Sequence, residues 1–220
     1  MQAQAYALKS TAIRAPASRN GVEDRDDVTL IGVAKTYHRE CEIFGEGDAA
    51  DFVYKVISGA VRSFRLLSDG RRQITHFYLP GDVFGVEFGK ERRAGAEALS
   101  DAVVVVSRRS AVAADFDQSM RLWRQAVREL QRSEDHALTL GRRSATERIV
   151  SFLLDLADRL DADDEFELPM TRQDIADYLG LTIETVSRTM TQLQADRLIQ
   201  LQGCRRVRFP RRGALEELCE

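Results

Sequence analysis

The chain has 220 residues, 44% of them hydrophobic and 30% charged, with a formal net charge of -3. That length supports one large core or two modest ones, and that balance excludes a disordered or collagen-like chain. The longest apolar runs, such as Val103 to Val106, fall far short of the roughly 18–20 residues that cross a bilayer, so no membrane partner is expected.

The first 27 residues hold no apolar signal-like core, and their four basic residues are offset by four acids between positions 23 and 27. They read as a flexible leader on a cytoplasmic protein. Three cysteines, Cys41, Cys204 and Cys219, form an odd count without close spacing, so neither a disulfide framework nor a cysteine-only metal site is expected. His38, His76 and His136 are isolated; surface or packing roles are their plain reading, with haem ligation as the alternative. No resident cofactor and no metal is expected.

Beyond the leader, glycines at 47, 59, 70 and 81 recur every 11 or 12 residues, the spacing of a small all-β barrel or roll. The β-branched and aromatic runs at 51–57, 61–67 and 73–79 supply strands, with Ser68-Asp69-Gly70 as a hairpin turn and a last strand at 103–106. A roll domain over residues 28–112 follows. The segment GEGDAA at 45–50 imitates a dinucleotide fingerprint, but that fingerprint must open a helix and a strand follows here, so a β-turn is expected.

After Ser110 the period becomes helical. Phe116, Met120, Trp123, Val127, Leu130 and Ala137 stand three and four apart, with Glu134 interrupting, which makes an a/d stripe of about three heptads. Met120, Trp123, Val127 and Leu130 are the candidate dimer seam of a helix over 113–141; a helix packed on its own β-domain is the alternative. A second helix over 145–160 follows a boundary near Gly141, and the acidic segment 161–167 is read as a separator. The remaining domain covers 142–220.

Thr171 and Asp174 have the spacing of a capping box, Gly180 supplies a left-handed turn and Thr182 opens a second helix. The spacing of Ala176, Gly180 and Val186 is that of a helix-turn-helix, in which a small residue lets two helices cross and an apolar one locks the second down. At about 100° per residue, Ile183, Val186, Met190 and Leu193 share a packing face, while Glu184, Ser187, Arg188 and Thr191 share another. Arginine can donate twice to guanine and glutamate can accept from cytosine, so Glu184, Ser187 and Arg188 are the candidate base readers. An ordinary surface ion pair is the plain alternative for Glu184 and Arg188. The runs 198–201 and 207–209 read as a hairpin about Gly203-Cys204, a wing carrying Arg205, Arg206 and Arg208. Six arginines and no acid lie between 197 and 212, whereas 155–167 holds seven acids against Arg159. Arg172, Thr182, Thr185, Thr191, Arg205 and Arg206 are the candidate phosphate contacts. Cys204, flanked by cations, is a candidate redox-sensitive thiol beside an inert-turn reading.

A glycine-punctuated roll, a long helix and a C-terminal ETVSR helix-turn-helix together resemble the CRP/FNR family of dimeric bacterial transcription regulators over nearly the whole chain beyond the leader. The block GAVRSFRLLSDGRRQITHFYLPGDVFG is similar to FixK-type regulators, which implies oxygen-responsive, microaerobic or nitrogen-fixation control. The implied fold is α+β: an N-terminal cyclic-nucleotide-binding-like β-roll, a long dimerisation helix and a C-terminal winged helix-turn-helix. The implied partners are double-stranded DNA, RNA polymerase and a second copy of the chain. Ile183 stands where cyclic-AMP-type members place an arginine, which favours a palindromic TTGAT-type site over a TGTGA-type one.

Members that bind cyclic nucleotide place a glutamate directly after a roll glycine and an Arg-Ser or Arg-Thr pair further on. Here Gly85 is followed by Val86, Glu87 comes one position late and would face the other side of a strand, and the pair is Arg92-Arg93. No cyclic nucleotide is expected as a ligand. An oxygen-sensing iron–sulfur cluster needs several thiolates near the N-terminus, and residues 1–40 contain none. Phosphate-loop, nucleophile-elbow and HExxH motifs do not occur, so no enzyme is expected. The expectation is an effector-independent, sequence-specific activator. Its alternatives are a ligand-gated regulator, with cyclic nucleotide or haem, and a cyclic-nucleotide-binding module that does not touch DNA.

Overall fold

The computed structural model describes residues 28–219, and the expected leader lies outside them. Eight strands come first: β1 (Val33–Tyr37), β2 (Glu42–Phe44), β3 (Phe52–Ser58), β4 (Val61–Leu66), β5 (Arg72–Tyr78), β6 (Val83–Phe84), β7 (Gly95–Ala98) and β8 (Ala102–Arg108). They make two four-stranded antiparallel sheets, in the orders β1-β8-β3-β6 and β2-β7-β4-β5. The strands expected from the sequence are β3, β4, β5 and β8, with small differences at their ends. β1, β2, β6 and β7 escaped that reading because β2 and β6 are very short and β1 is almost wholly exposed, so no apolar alternation marks them. The glycines at 47, 59, 70 and 81 all adopt positive φ. Residues 45–50 form a turn leading into β3.

One expectation about the roll fails. The backbone from 85 to 90 is irregular rather than a strand, so strand alternation says nothing about where Glu87 points. Its carboxylate accepts from the backbone N–H of Arg93 at 3.2 Å.

Then follow α1 (Arg109–Ala114), α2 (Phe116–Arg142), α3 (Ala145–Arg159), β9 (Glu165–Glu167), α4 (Arg172–Leu179), α5 (Ile183–Ala195), β10 (Gln200–Gln202), β11 (Arg206–Arg208) and α6 (Arg212–Glu216). Asp115 caps α2 by accepting from Gln118 N, and a Ser144–Glu147 capping box opens α3. The acidic segment is not a mere separator. Within it Glu165–Glu167 pairs with β11, giving a three-stranded sheet in the order β10-β11-β9. Phe166 is the reason: it is buried, and its ring meets Phe209 edge-on at 5.3 Å, which outweighs the solvation preference of the flanking glutamates.

One continuous apolar cluster runs from Ile74, Phe77 and Leu79 of the roll through Ile149, Leu153 and Leu156 of α3 to Ile175, Leu179, Val186 and Met190. Each such side chain contributes about 1.5–3 kcal/mol by leaving water. The helix-turn-helix is therefore docked on the roll by shared core, and charge fixes its register. Arg62 of β4 donates to Asp174 Oδ1 at 2.6 Å and to Glu97 at 2.6 and 3.1 Å. Arg72 of β5 donates to the same Asp174 oxygen at 2.9 Å and to Asp177 at 3.0 Å. Asp174 is 1% exposed and Arg62 8%, so the centre of this network is shielded from solvent, while Arg72, Glu97 and Asp177 at its rim are partly exposed. Arg148 closes the other side, donating to the carbonyls of Leu140, Arg143 and Leu179, two of which lie in the last turns of α2 and α4.

Removing one partner of a buried ion pair strands the other, so Asp174→Ala is expected to lose about 3 kcal/mol of stability in urea unfolding, well beyond the loss in Asp177→Ala. A loss below about 1 kcal/mol would show that solvent compensates the two arginines.

A cavity of about 770 Å³ lies where β5, α2, α3 and α4 meet. In it His76 Nε2 lies 3.1 Å from Ser133 Oγ and 3.2 Å from a Glu129 oxygen. Burial, reinforced by His136, Arg159 and Arg132, pushes the His76 pKa from 6.5 down to about 4. The folded state thus binds this proton less readily than the unfolded chain. The stability from a neutral His76 is present above pH 6.5 and is lost as the pH falls from there toward 4. Glu129, whose carboxyl is pushed up by burial, acts in the opposite sense. The melting temperature should therefore fall on acidification from neutral pH, and less steeply in His76→Gln; parallel slopes would assign the effect to other groups.

Candidate nucleic-acid interface

The Thr171–Asp174 capping box forms, with the Thr171 N–H and hydroxyl both donating to Asp174 at 2.9 and 2.7 Å. α4 ends at Gly180, left-handed at φ 63° and ψ 39°. A Cβ there would meet nothing closer than 3.9 Å, so the turn needs glycine for its backbone conformation and not for room. Ala176 and Val186 are fully buried where the helices cross. Thr182 caps α5, its hydroxyl accepting from Thr185 N at 3.2 Å.

Val186, Met190 and Leu193 pack inward as expected, whereas Ile183 does not: it is 37% exposed. It is the first residue of α5, three positions before the buried Val186. Glu184, Ser187, Arg188 and Thr191 are exposed together on the outer face. The Glu184 carboxyl is held below the usual carboxylate range, first by a backbone N–H at the helix start, then by the Thr182 hydroxyl, with Arg188 adding to both. No close ion pair joins Glu184 to Arg188 among the described residues. The face thus presents one anion and one cation to solvent, at the end of α5 whose N–H dipoles point outward.

The other candidate contacts differ in what already holds them. The Thr182 and Thr185 hydroxyls lie 3.1 Å apart, and Thr191 Oγ1 donates to the Ser187 carbonyl. Arg172 is half-buried, its Nη1 sealed without a partner among the described residues. Burial pulls its pKa down, and Cys204 of the wing turn acts in the other direction. Cys204 is exposed in that turn. Arg205 is half-buried beside it.

Arg206 is exposed, but its Nε lies 3.5 Å from Glu165. Arg208, which the sequence placed on the wing, shares its face: register sets Arg206 opposite Glu167 and Arg208 opposite Glu165. The acids of β9 therefore temper the positive field of the wing. Sequence reasoning could find the Arg-Val-Arg alternation but not the strand that pairs with it.

On α2, Phe116, Met120, Trp123, Leu130 and Leu138 are exposed, at 76, 38, 59, 59 and 66%. Val127 is half-buried. The opposite face carries Leu122, Glu129 and Ser133 toward the chain's own roll. Most of the stripe is thus exposed, with no other described residue covering it. Of the histidines, His38 is on the surface near Asp101, His76 bonds Ser133, and His136 stacks on Tyr178 at 4.0 Å.

Comparison with known proteins gives a consistent picture. The Crp-like helix-turn-helix domain matches residues 147–218, and the cyclic nucleotide-binding domain matches residues 34–119. The nitrogen fixation regulation protein FixK of Azorhizobium caulinodans is 44% identical over 98% of this chain and 93% of its own. FixK of Rhizobium meliloti is 44% identical over 84% of this chain and 86% of its own. The solved structure of FixK2 from Bradyrhizobium japonicum superposes with a TM-score of 0.82 at 44% identity, covering 87% of this chain and 98% of that one. Among the described residues no helix is long and apolar enough to cross a membrane.

Proposed function

The chain belongs to the CRP/FNR family of transcription regulators, among its FixK-like members, and from that membership we propose how its parts work on DNA. It is a DNA-binding transcription activator of oxygen-responsive and nitrogen-fixation genes, acting in the cytoplasm as a homodimer that binds a palindromic TTGAT-type site and contacts RNA polymerase. The division of labour is a roll over 28–112, a dimer helix over 113–141 and a DNA-binding unit over 142–220. The observation that carries this reading is the exposed face of α5, where Glu184, Ser187 and Arg188 stand together beside an arginine-bearing wing.

In the major groove, Arg188 donates its forked N–H groups to a guanine edge, and Glu184 accepts from a cytosine amino group. Ser187, between them on the same face, adds a short hydroxyl contact. Thr182, Thr185 and Thr191 border this face and Arg205, with Arg172 behind it, approaches the backbone, so phosphates fix the register in which bases are read. Arg206 contributes less, because Glu165 already draws on its charge. Two copies joined along Met120, Trp123, Val127 and Leu130 place two α5 helices about one DNA turn apart, matching a palindrome.

Operator selection from random duplexes, with untreated protein and then with added cyclic nucleotide, tests this reading as a whole. Selection of TTGAT-type palindromes without ligand supports an effector-independent regulator; selection only with nucleotide would make it ligand-gated. Arg188→Ala should cost about 1–3 kcal/mol per half-site and flatten preference at one G·C pair. Equal weakening on specific and random duplexes would remove it as a base reader. Arg205→Ala should weaken binding to all sequences and lower the salt slope by about one unit, and Arg206→Ala should lower it by less.

The seam has its own measurement. Val127→Glu places a charge in a desolvated apolar contact, so sedimentation at micromolar concentration should find a folded monomer with poor operator affinity. A dimer that persists would show that the stripe serves another contact.

A further inference from the structure

The interior of the roll is filled by a side chain of its own. Arg92 lies on the loop between β6 and β7 and is only 2% exposed. Its backbone is pinned to the turn before β3: Arg92 N donates to Asp48 O at 2.8 Å, and Gly47 N donates to Arg92 O at 2.9 Å. The guanidinium fork donates Nη1 to the Gly85 carbonyl and Nη2 to the Phe52 carbonyl, both at 2.5 Å. Its carbon sits 4.3 Å from the centroid of the Phe44 ring and 5.4 Å from that of Tyr54. These rings belong to a packed group with Phe84, with centroids 5.1–6.1 Å apart.

Among the described residues no carboxylate pairs with Arg92. Its charge is met by two carbonyl dipoles, by the Phe44 ring and by the Tyr54 side chain, while Nε is buried without a partner among the described residues, an arrangement that suits a planar forked cation and not a compact ammonium. Gly85, at φ 73°, leaves the space: a Cβ there would stand 2.9 Å from Arg92 Nη1 and from the Tyr54 ring.

The same loop is tied to the dimer helix. Arg109, the first residue of α1, donates Nη1 to the carbonyls of Glu87 and Gly89 at 2.9 and 2.7 Å. α1 ends at Asp115, which caps α2. Arg92 grips the loop from inside and Arg109 grips it from outside, so the position of the loop is passed to the start of the dimer helix.

We propose that the roll contains a guanidinium site occupied by the chain's own Arg92. This tethered cation takes the place of a diffusible ligand and holds loop 85–93, and through Arg109 the start of α2, in the DNA-binding arrangement. Arg92 is a positioning residue that touches no DNA. The proposal rests on the reading of the chain as a DNA-binding dimer, and the experiment separates the two.

Wild type is measured first: failure to bind operator without ligand would remove the functional reading, while the cage can still be probed through stability. Arg92→Ala empties the cage and leaves room for the missing head group. It should bind operator about tenfold more weakly and dimerise more weakly. Millimolar ethylguanidinium should restore affinity and raise the melting temperature of Arg92→Ala but not of wild type, and ethylammonium should do neither. If Arg92→Ala folds only with ethylguanidinium, the site is shown directly. Rescue by both cations, or by neither, would overturn the guanidinium site. Arg92→Met fills the cage with apolar volume and should fold with about tenfold weaker operator binding; wild-type affinity in that variant would overturn the link from cage to DNA.

Discussion

The Asp174 carboxylate is the point on which the two halves of the molecule turn. It caps α4 through Thr171, and it accepts from Arg62 of one roll strand and Arg72 of the next. A cap is local and would serve a free helix-turn-helix equally well. Buried Arg62 and partly buried Arg72, both from the roll, converge on the same carboxylate and make it a register pin, each being held by a second acid as well, Glu97 and Asp177. Every residue of α4, and through the Ala176–Val186 crossing every residue of α5, inherits its position from that contact. The outward face of α5 is thus oriented by the β-roll as much as by its own turn.

Apolar contacts make this docking strong and charges make it specific. Phe77 of the roll packs against Phe152 of α3 and Tyr178 of α4 at 5.9 and 5.0 Å. Such contacts tolerate sliding, whereas a forked hydrogen bond does not. Arg148 adds a third constraint by donating to carbonyls at the ends of α2 and α4, which ties the long helix to the helix-turn-helix. Beside these fixed elements lies the cavity lined by His76, Glu129 and Tyr178, where packing is incomplete and burial disfavours the charged form of each group.

The electrostatics of the wing show how distribution decides function where net charge does not. The chain is acidic overall, yet a run of six arginines without an acid covers 197–212. The fold then brings Glu165 and Glu167 alongside Arg206 and Arg208, so part of the wing's positive charge is already compensated within the chain.

What the sequence determined by itself is what short-range rules govern. The Thr171–Asp174 box, the left-handed Gly180, the Thr182 cap, the four turn glycines of the roll and the heptad stripe of α2 each depend on residues within a few positions of one another, so spacing alone revealed them. The FixK-like resemblance rested on the same local blocks. What only tertiary structure decided involves partners far apart in the chain. Glu165–Glu167 becomes a strand because Phe166 finds Phe209, not because of any local β signal. Ile183 stays 37% exposed at the very start of α5 although it shares a helical face with buried Val186, Met190 and Leu193, which a helical wheel cannot show. Arg62 and Arg72 each lie more than a hundred positions from Asp174, and all three look like ordinary surface charges until the roll and α4 bring them together. Arg92 reads as half of a defective phosphate pair until its loop turns it inward between Phe44 and Tyr54. A sequence pattern records which face a residue prefers; which groups are desolvated together is set by packing, and desolvation is what gives these charges their energy.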